Sequence, residues 1–146
     1  MHGIQLEPYK EFARENLKVE FNDISHLVTA LTHRSYVNEH RKIANEHNER
    51  LEFLGDAVLE LVVTEYLFNN FDEQEGILTS WRAALVRTES IGEAGARLGY
   101  EPLVRMSRGE KHGSDSARSR ILANAFEAVT GAIYLDQGYE KAKEFI

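Results

Sequence analysis

Apolar residues along this chain recur at spacings of three and four, the period of helices, and do not alternate as strands require. Only Pro8 and Pro102 interrupt the pattern, so the predicted fold class is all-α. A short amphipathic helix is expected over 6–17. A second, capped by Asn22 or Asp23, carries Ile24, Leu27, Val28 and Leu31. The polar stretch from Asn38 to His47 reads as a loop or a frayed helix start. The most apolar helix runs from about Asn48 to Phe68 and stops at Asn69-Asn70. Residues 74–98 supply a helix or a helix pair, with Thr88 as a cap at the break and Gly99 as the stop. After Pro102 comes a polar segment in which Gly109 and Gly113 mark turns. A second very apolar helix then spans about Ala117 to Asp136, ended by Gly138. A last helix has barely begun at Ile146, a pattern that reads as part of a longer protein.

A length of 146 residues suits one domain, 1–146, with a single core. The absence of cysteine excludes disulfides, thiolate zinc sites and cysteine nucleophiles. No apolar run reaches the ~18 residues of a membrane span, and the N-terminus lacks the basic start and apolar core of a signal peptide. The expected location is therefore cytoplasmic, with no membrane partner. There is no glycine-rich phosphate loop and no Ser/His/Asp motif, so no small-molecule cofactor is expected.

Chemistry enters with the helix over 48–68. Glu49, Glu52, Asp56 and Glu60 fall within roughly 80° of one another, a line of four carboxylates on an otherwise apolar helix. Arg50 points elsewhere, so nothing within the helix offsets the repulsion. A helix apolar nearly all round should be buried, and a carboxylate at its cleft wall costs several kcal/mol unless a cation pairs with it. The plainer alternative is a solvated stripe, which fits Glu60 best. Against it stands Gly55, a mid-helix glycine that costs about 1 kcal/mol relative to alanine and signals close approach of another backbone. On the second apolar helix Asn124 and Glu127 lie one turn apart, with Gly131 continuing that face. If the two stripes face each other, four oxygen-bearing side chains converge, a set that suits Mg²⁺ or Mn²⁺ better than zinc. The seven-residue repeat of His26, His33, His40 and His47 is no metal ladder, because the intervening segment is too polar for one helix. His33 is the one expected to be buried and hydrogen-bonded.

The block Glu49-Arg50-Leu51-Glu52-Phe53-Leu54-Gly55-Asp56-Ala57-Val58-Leu59 resembles the signature helix of the ribonuclease III family of double-stranded-RNA endonucleases. Leu31-Thr32-His33-Arg34-Ser35-Tyr36, Arg108-Gly109-Glu110, Ile121 to Ala128 and Gly131 to Asp136 follow in the family's order. The resemblance covers nearly the whole chain. It implies the helical endonuclease-domain fold working as a symmetric homodimer, with a duplex held in a valley between two sites. The family's metal quartet maps onto Glu52, Asp56, Asn124 and Glu127, with Glu52, Asp56 and Glu127 as the catalytic acids. Glu49 and Glu75 match acidic positions near the substrate, and Phe53 matches the aromatic that plugs into the partner subunit. The implied reaction is Mg²⁺-dependent hydrolysis of double-stranded RNA to 5′-phosphate and 3′-hydroxyl ends, with Mn²⁺ able to substitute, in ribosomal and messenger RNA processing.

The chain departs from the family pattern in three places. Asn124 stands where the family most often has aspartate, leaving the site one negative charge short; an impaired, RNA-binding dimer is the alternative. Arg120, one turn before Asn124, is either a surface arginine or a partner for a site carboxylate or a phosphate. The RNA-binding domain that follows the nuclease domain in longer members is absent from these residues. A net charge of −7 argues at first against a polyanion ligand. The charge is sorted, however: residues 34–42 and 105–120 together carry +5 and the remainder −12. Arg34, Arg41, Lys42, Arg105, Arg108, Lys111 and Arg118 are thus candidates for phosphate contact, with weak RNA binding expected from this domain alone.

Overall fold

Between Ile121 and Ile133 every residue of one long helix is buried except Asn124 and Glu127. That helix is the axis of the fold. In the computed structural model, which describes residues 5–40 and 46–146, the elements are α1 (Glu7–Phe12), α2 (Ser25–Ala30), α3 (Arg34–Glu39), α4 (Glu49–Asn70), α5 (Glu75–Leu85), α6 (Thr88–Leu98), α7 (Arg108–Lys111), α8 (Asp115–Gln137) and α9 (Tyr139–Phe145). α1 continues into a wide π turn over Ala13–Leu17, and a single 3-10 turn, Glu101–Leu103, follows α6. α8 packs against α4, α6, α2 and α9. Among the described residues no helix is long and apolar enough to cross a membrane.

The all-α expectation holds, and the pair over 74–98 resolves into α5 and α6 with Gly99 closing the second at φ +76°. Four details differ. Ile24, not Asn22 or Asp23, is the N-cap of α2. Arg87, not Thr88, is the N-cap of α6. α8 starts two residues before Ala117 because the Ser114 hydroxyl accepts the Ala117 amide at 3.1 Å. Two short helices were not expected: α3, of which only Asn38 and Glu39 lie in the stretch expected as a loop, and α7, within the polar segment after Pro102. The other end of α8 is tied down by Asp136, whose carboxylate accepts the Asn22 and Asp23 amides at 2.8 and 2.9 Å.

α4 is held in place in two ways. Its first turn is anchored through buried Asn48, whose amide donates to the Thr32 carbonyl at 2.9 Å and whose side chain donates to Ala30 at 3.1 Å. The middle is anchored on α8 without side chains. A Cβ on Gly55 would overlap the Glu127 carbonyl and approach the Gly131 nitrogen to 2.8 Å; one on Gly131 would overlap the Leu51 carbonyl. Gly55 is thus explained by backbone contact, as its cost in helix propensity implied.

The expected burial of α4 on all sides is not met. Phe53 is 83% and Phe68 76% exposed, and Leu61 joins them on one face. α8 covers only the opposite face.

Gly55→Ala is expected to destabilise the fold by about 3 kcal/mol, since neither backbone can yield. Gly76, with nothing within 4 Å of its Cβ position, is expected to accept alanine with no loss or a gain of up to about 1 kcal/mol. Urea denaturation of the two variants beside the unsubstituted protein measures both.

Candidate active site

The glycine crossing sets the register of the carboxylates. With the Glu127 carbonyl seated on Gly55, the Glu127 side chain enters at the level of Glu52 and Asp56, the residues that flank Gly55 on α4. The three acids feel one another. Burial, then the charge of Asp56 and a hydrogen bond with it, and then Glu52, push the Glu127 carboxyl up to about 8. Glu52 is also raised, by burial first and then by Glu49 and Asp56. At neutral pH the Glu127 carboxyl therefore keeps its proton beside Asp56.

The stripe divides according to who neutralises it. At one end the Arg34 guanidinium donates to Glu49 at 2.6 Å, and at the other Arg82 lies 3.7 Å from Glu60. Glu52 and Asp56, between them, have no ion-pair partner among the described residues. Glu60 thus takes the solvated role the pattern suited it to. Asn124 is half-buried on α8, one turn before Glu127. The expected four-oxygen convergence is only partly present. Among the described residues no three Asp, Glu, His or Cys side chains form a group ready to hold a metal. The donor chemistry still fits a hard divalent ion, being all oxygen, with Glu52, Asn124 and Glu127 half-buried, Asp56 exposed and none of the three acids in an ion pair among the described residues.

Glu75 opens α5 beyond the far end of α4, and ~27 Å of helix separates Glu52 from Asn70. The structure does not bring Glu75 to the cluster within one copy of the chain. Arg120 is exposed and, among the described residues, pairs with no carboxylate.

The basic candidates separate by use. Arg105 lies over the Tyr36 ring at 4.4 Å and donates to Thr32 Oγ1 at 3.1 Å, while Arg118 pairs with Glu101; both serve the fold. Arg34 is engaged with Glu49, leaving Arg108 and Lys111 exposed and, among the described residues, in no ion pair. Arg41 and Lys42 lie outside the described residues. The histidines disperse as expected: His26 lies near Asp23, His40 stacks on Tyr36, and His33 is half-buried and hydrogen-bonded.

Residues 23–146 match the family described as Ribonuclease-III-like. The chain belongs to the ribonuclease III family. It is 48% identical over 141 residues to a ribonuclease 3 of Bacillus cereus, covering 96% of this chain and 57% of that protein. With a ribonuclease 3 of Streptococcus uberis it shares 42% over 134 residues, 91% of this chain and 58% of the relative. The chain thus spans less than two thirds of these relatives' length. Among solved structures, the nuclease domain of ribonuclease III from Campylobacter jejuni superposes with a TM-score of 0.83 at 42% identity, covering 92% of this chain and 91% of that one. That structure concerns flexibility in a region involved in dimer formation. Dicer from Pichia stipitis is similar at TM-score 0.62 and 26% identity, over 87% of this chain and 54% of its own.

For this ribonuclease III domain, the raised Glu127 carboxyl gives stability a sign with pH. The folded state keeps a proton that the unfolded chain releases near 4.5, so the contribution is full below that value and is lost as pH rises through about 8. In chelator, Glu127→Gln is expected to melt about 3 °C above the unsubstituted protein near pH 9, with the gap closing near pH 4, as thermal scans across that range would record.

Proposed function

We propose that this ribonuclease III domain cleaves double-stranded RNA by divalent-metal-dependent hydrolysis, leaving 5′-phosphate and 3′-hydroxyl ends. The observation that carries the reading is the electrostatic coupling of Glu52, Asp56 and Glu127 where α4 and α8 cross, with no ion-pair partner for these acids among the described residues. Glu52, Asp56 and Glu127 would hold Mg²⁺, or Mn²⁺ in its place, with the Asn124 carboxamide oxygen as the fourth group. Bound there, the ion supplies an activated water for attack on the phosphodiester and charge stabilisation for the departing 3′ oxygen. The protein's part is to hold the acids in register and to release the proton that Glu127 keeps. Exposed Arg108 and Lys111 meet the duplex phosphates, and Glu49 lies at the substrate's edge. Glu75, remote from the cluster of its own copy, would serve the site of a partner.

A homodimer belongs to the same proposal. Phe53 stands exposed beside a cavity of about 1000 Å³ whose lining includes Thr29, His47, Leu54 and Leu135. A plug beside a socket on one face is the arrangement that two-fold symmetry makes self-complementary.

Purified protein is expected to cut a long RNA duplex with Mg²⁺ or Mn²⁺ and to lose more than about 100-fold in rate on Glu127→Ala. Asn124→Asp is expected to tighten divalent-ion binding about tenfold by adding a charge, read by titration with Mn²⁺. Activity that appears only in Asn124→Asp would favour the impaired RNA-binding alternative. Phe53→Ala is expected to shift sedimentation from dimer to monomer at micromolar concentration; a monomeric unsubstituted protein would remove the two-site valley.

A further inference from the structure

Outside the carboxylate cluster, a run of hydrogen bonds joins the start of α3 to the start of α7. His33 is the N-cap of α3, and its Nδ1 accepts the Ser35 amide at 3.1 Å. The Ser35 hydroxyl lies 2.8 Å from the same nitrogen, and its oxygen accepts the Ser107 amide at 2.9 Å. Ser107 in turn caps α7, its hydroxyl accepting the Glu110 amide at 3.2 Å. A ring nitrogen that accepts an amide N–H carries no proton, so the Ser35 hydroxyl donates to Nδ1 and the ring proton sits on Nε2. Burial lowers the pKa of His33 and outweighs Glu110 and Glu49, which keeps the ring in this neutral form.

We propose that His33, acting through Ser35 and Ser107, is a positioning residue that fixes α7 so that Arg108 and Lys111 meet the phosphates of an RNA duplex. The inference rests on the duplex-cleaving function proposed above. α7 has four residues and none of them is buried, so neither helix propensity nor a core contact holds it. Its backbone is attached upstream, where Arg105 exchanges hydrogen bonds with Leu31 and His33, then at Ser107, and at Arg108, whose amide donates to Glu39 at 3.3 Å. Among the described residues neither Arg108 nor Lys111 is in an ion pair, so both are available to an anion.

The test compares His33→Ala, Ser35→Ala and His33→Asn in Mg²⁺-dependent cleavage of an RNA duplex at fixed salt. Asparagine keeps an acceptor where Nδ1 stands. The two alanine variants are expected to raise KM about fivefold with kcat changed less than about twofold, and His33→Asn to restore KM. In a background of Arg108→Ala with Lys111→Ala, His33→Ala is expected to change KM no further. Equal KM in His33→Ala and the unsubstituted protein, an equal fall in kcat, or no rescue by asparagine would overturn the proposal. Amide exchange by NMR without RNA tests the relay itself: Ser107 and Glu110 should be protected, lose protection in His33→Ala and keep it in His33→Asn. An unprotected Ser107 in the unsubstituted protein overturns the relay. A protein that neither binds nor cuts duplex overturns the proposed function instead, and the exchange result still decides whether His33 positions α7.

Discussion

The site depends on two helices touching through their backbones. Helices that pack through ordinary side chains keep their axes 8–10 Å apart, a separation at which each carboxylate could turn toward water. At Gly55 and Gly131 no Cβ intervenes, and carbonyls of α4 and α8 seat directly on the opposite glycine. Glu52 and Asp56 on one helix and Glu127 on the other are then committed to a common space. The crossing therefore accounts for both perturbations of Glu127, its loss of water and its nearness to Asp56. A larger residue at either glycine would relieve the acids and dissolve the site together.

Bringing acids together in this way is opposed by several kcal/mol of desolvation and repulsion, which the rest of α8 must offset. Its remaining residues from Ile121 to Ile133 are all buried, and α2, α4, α6 and α9 surround them. The ends of the acidic stripe are neutralised locally, by Arg34 and Arg82, and its middle is left to the proton that Glu127 keeps beside Asp56. A proton is the least demanding cation such a pair can take. A divalent ion meets the same electrostatic need more fully, and the donor set offers it oxygen alone.

What could be read from the sequence was what local periodicity controls. α4, α8, the stop at Gly99 and the reason for Gly55 all follow from the spacing of apolar residues and from one costly glycine. The short helices α3 and α7 escaped, because they are held by bonds between segments more than 70 residues apart, such as Ser107 to Ser35. Charge counting likewise identified the basic segments but not their partners: Arg105 is spent on Tyr36 and Thr32, and Arg118 on Glu101. Glu75 opens α5 at the far end of α4 from the other acids, and a match to a family position does not say which copy's site such a residue would serve. Period alone put Asn124 on the face of α8 that carries Glu127, yet the side-chain arrangement around it is a tertiary matter that period does not reach.

The expectation that α4 would be buried failed for a reason that bears on the assembly. A helix apolar on two faces can give only one to α8, and the other, with Phe53, Leu61 and Phe68, stays exposed in a single copy. α5 likewise leaves Ile77, Trp81 and Leu85 exposed and buries none of its own residues. Helical phase puts the carboxylate stripe between the two apolar faces, so Glu52 and Asp56 border both. In the proposed dimer, the second copy would cover the exposed face and take further water from those acids. Desolvation raises the cost of the bare carboxylates more than that of the ion-bound ones. Dimer formation and cation binding would then favour each other, with equal coupling in both directions, through a helix whose second apolar face has no use in one copy alone.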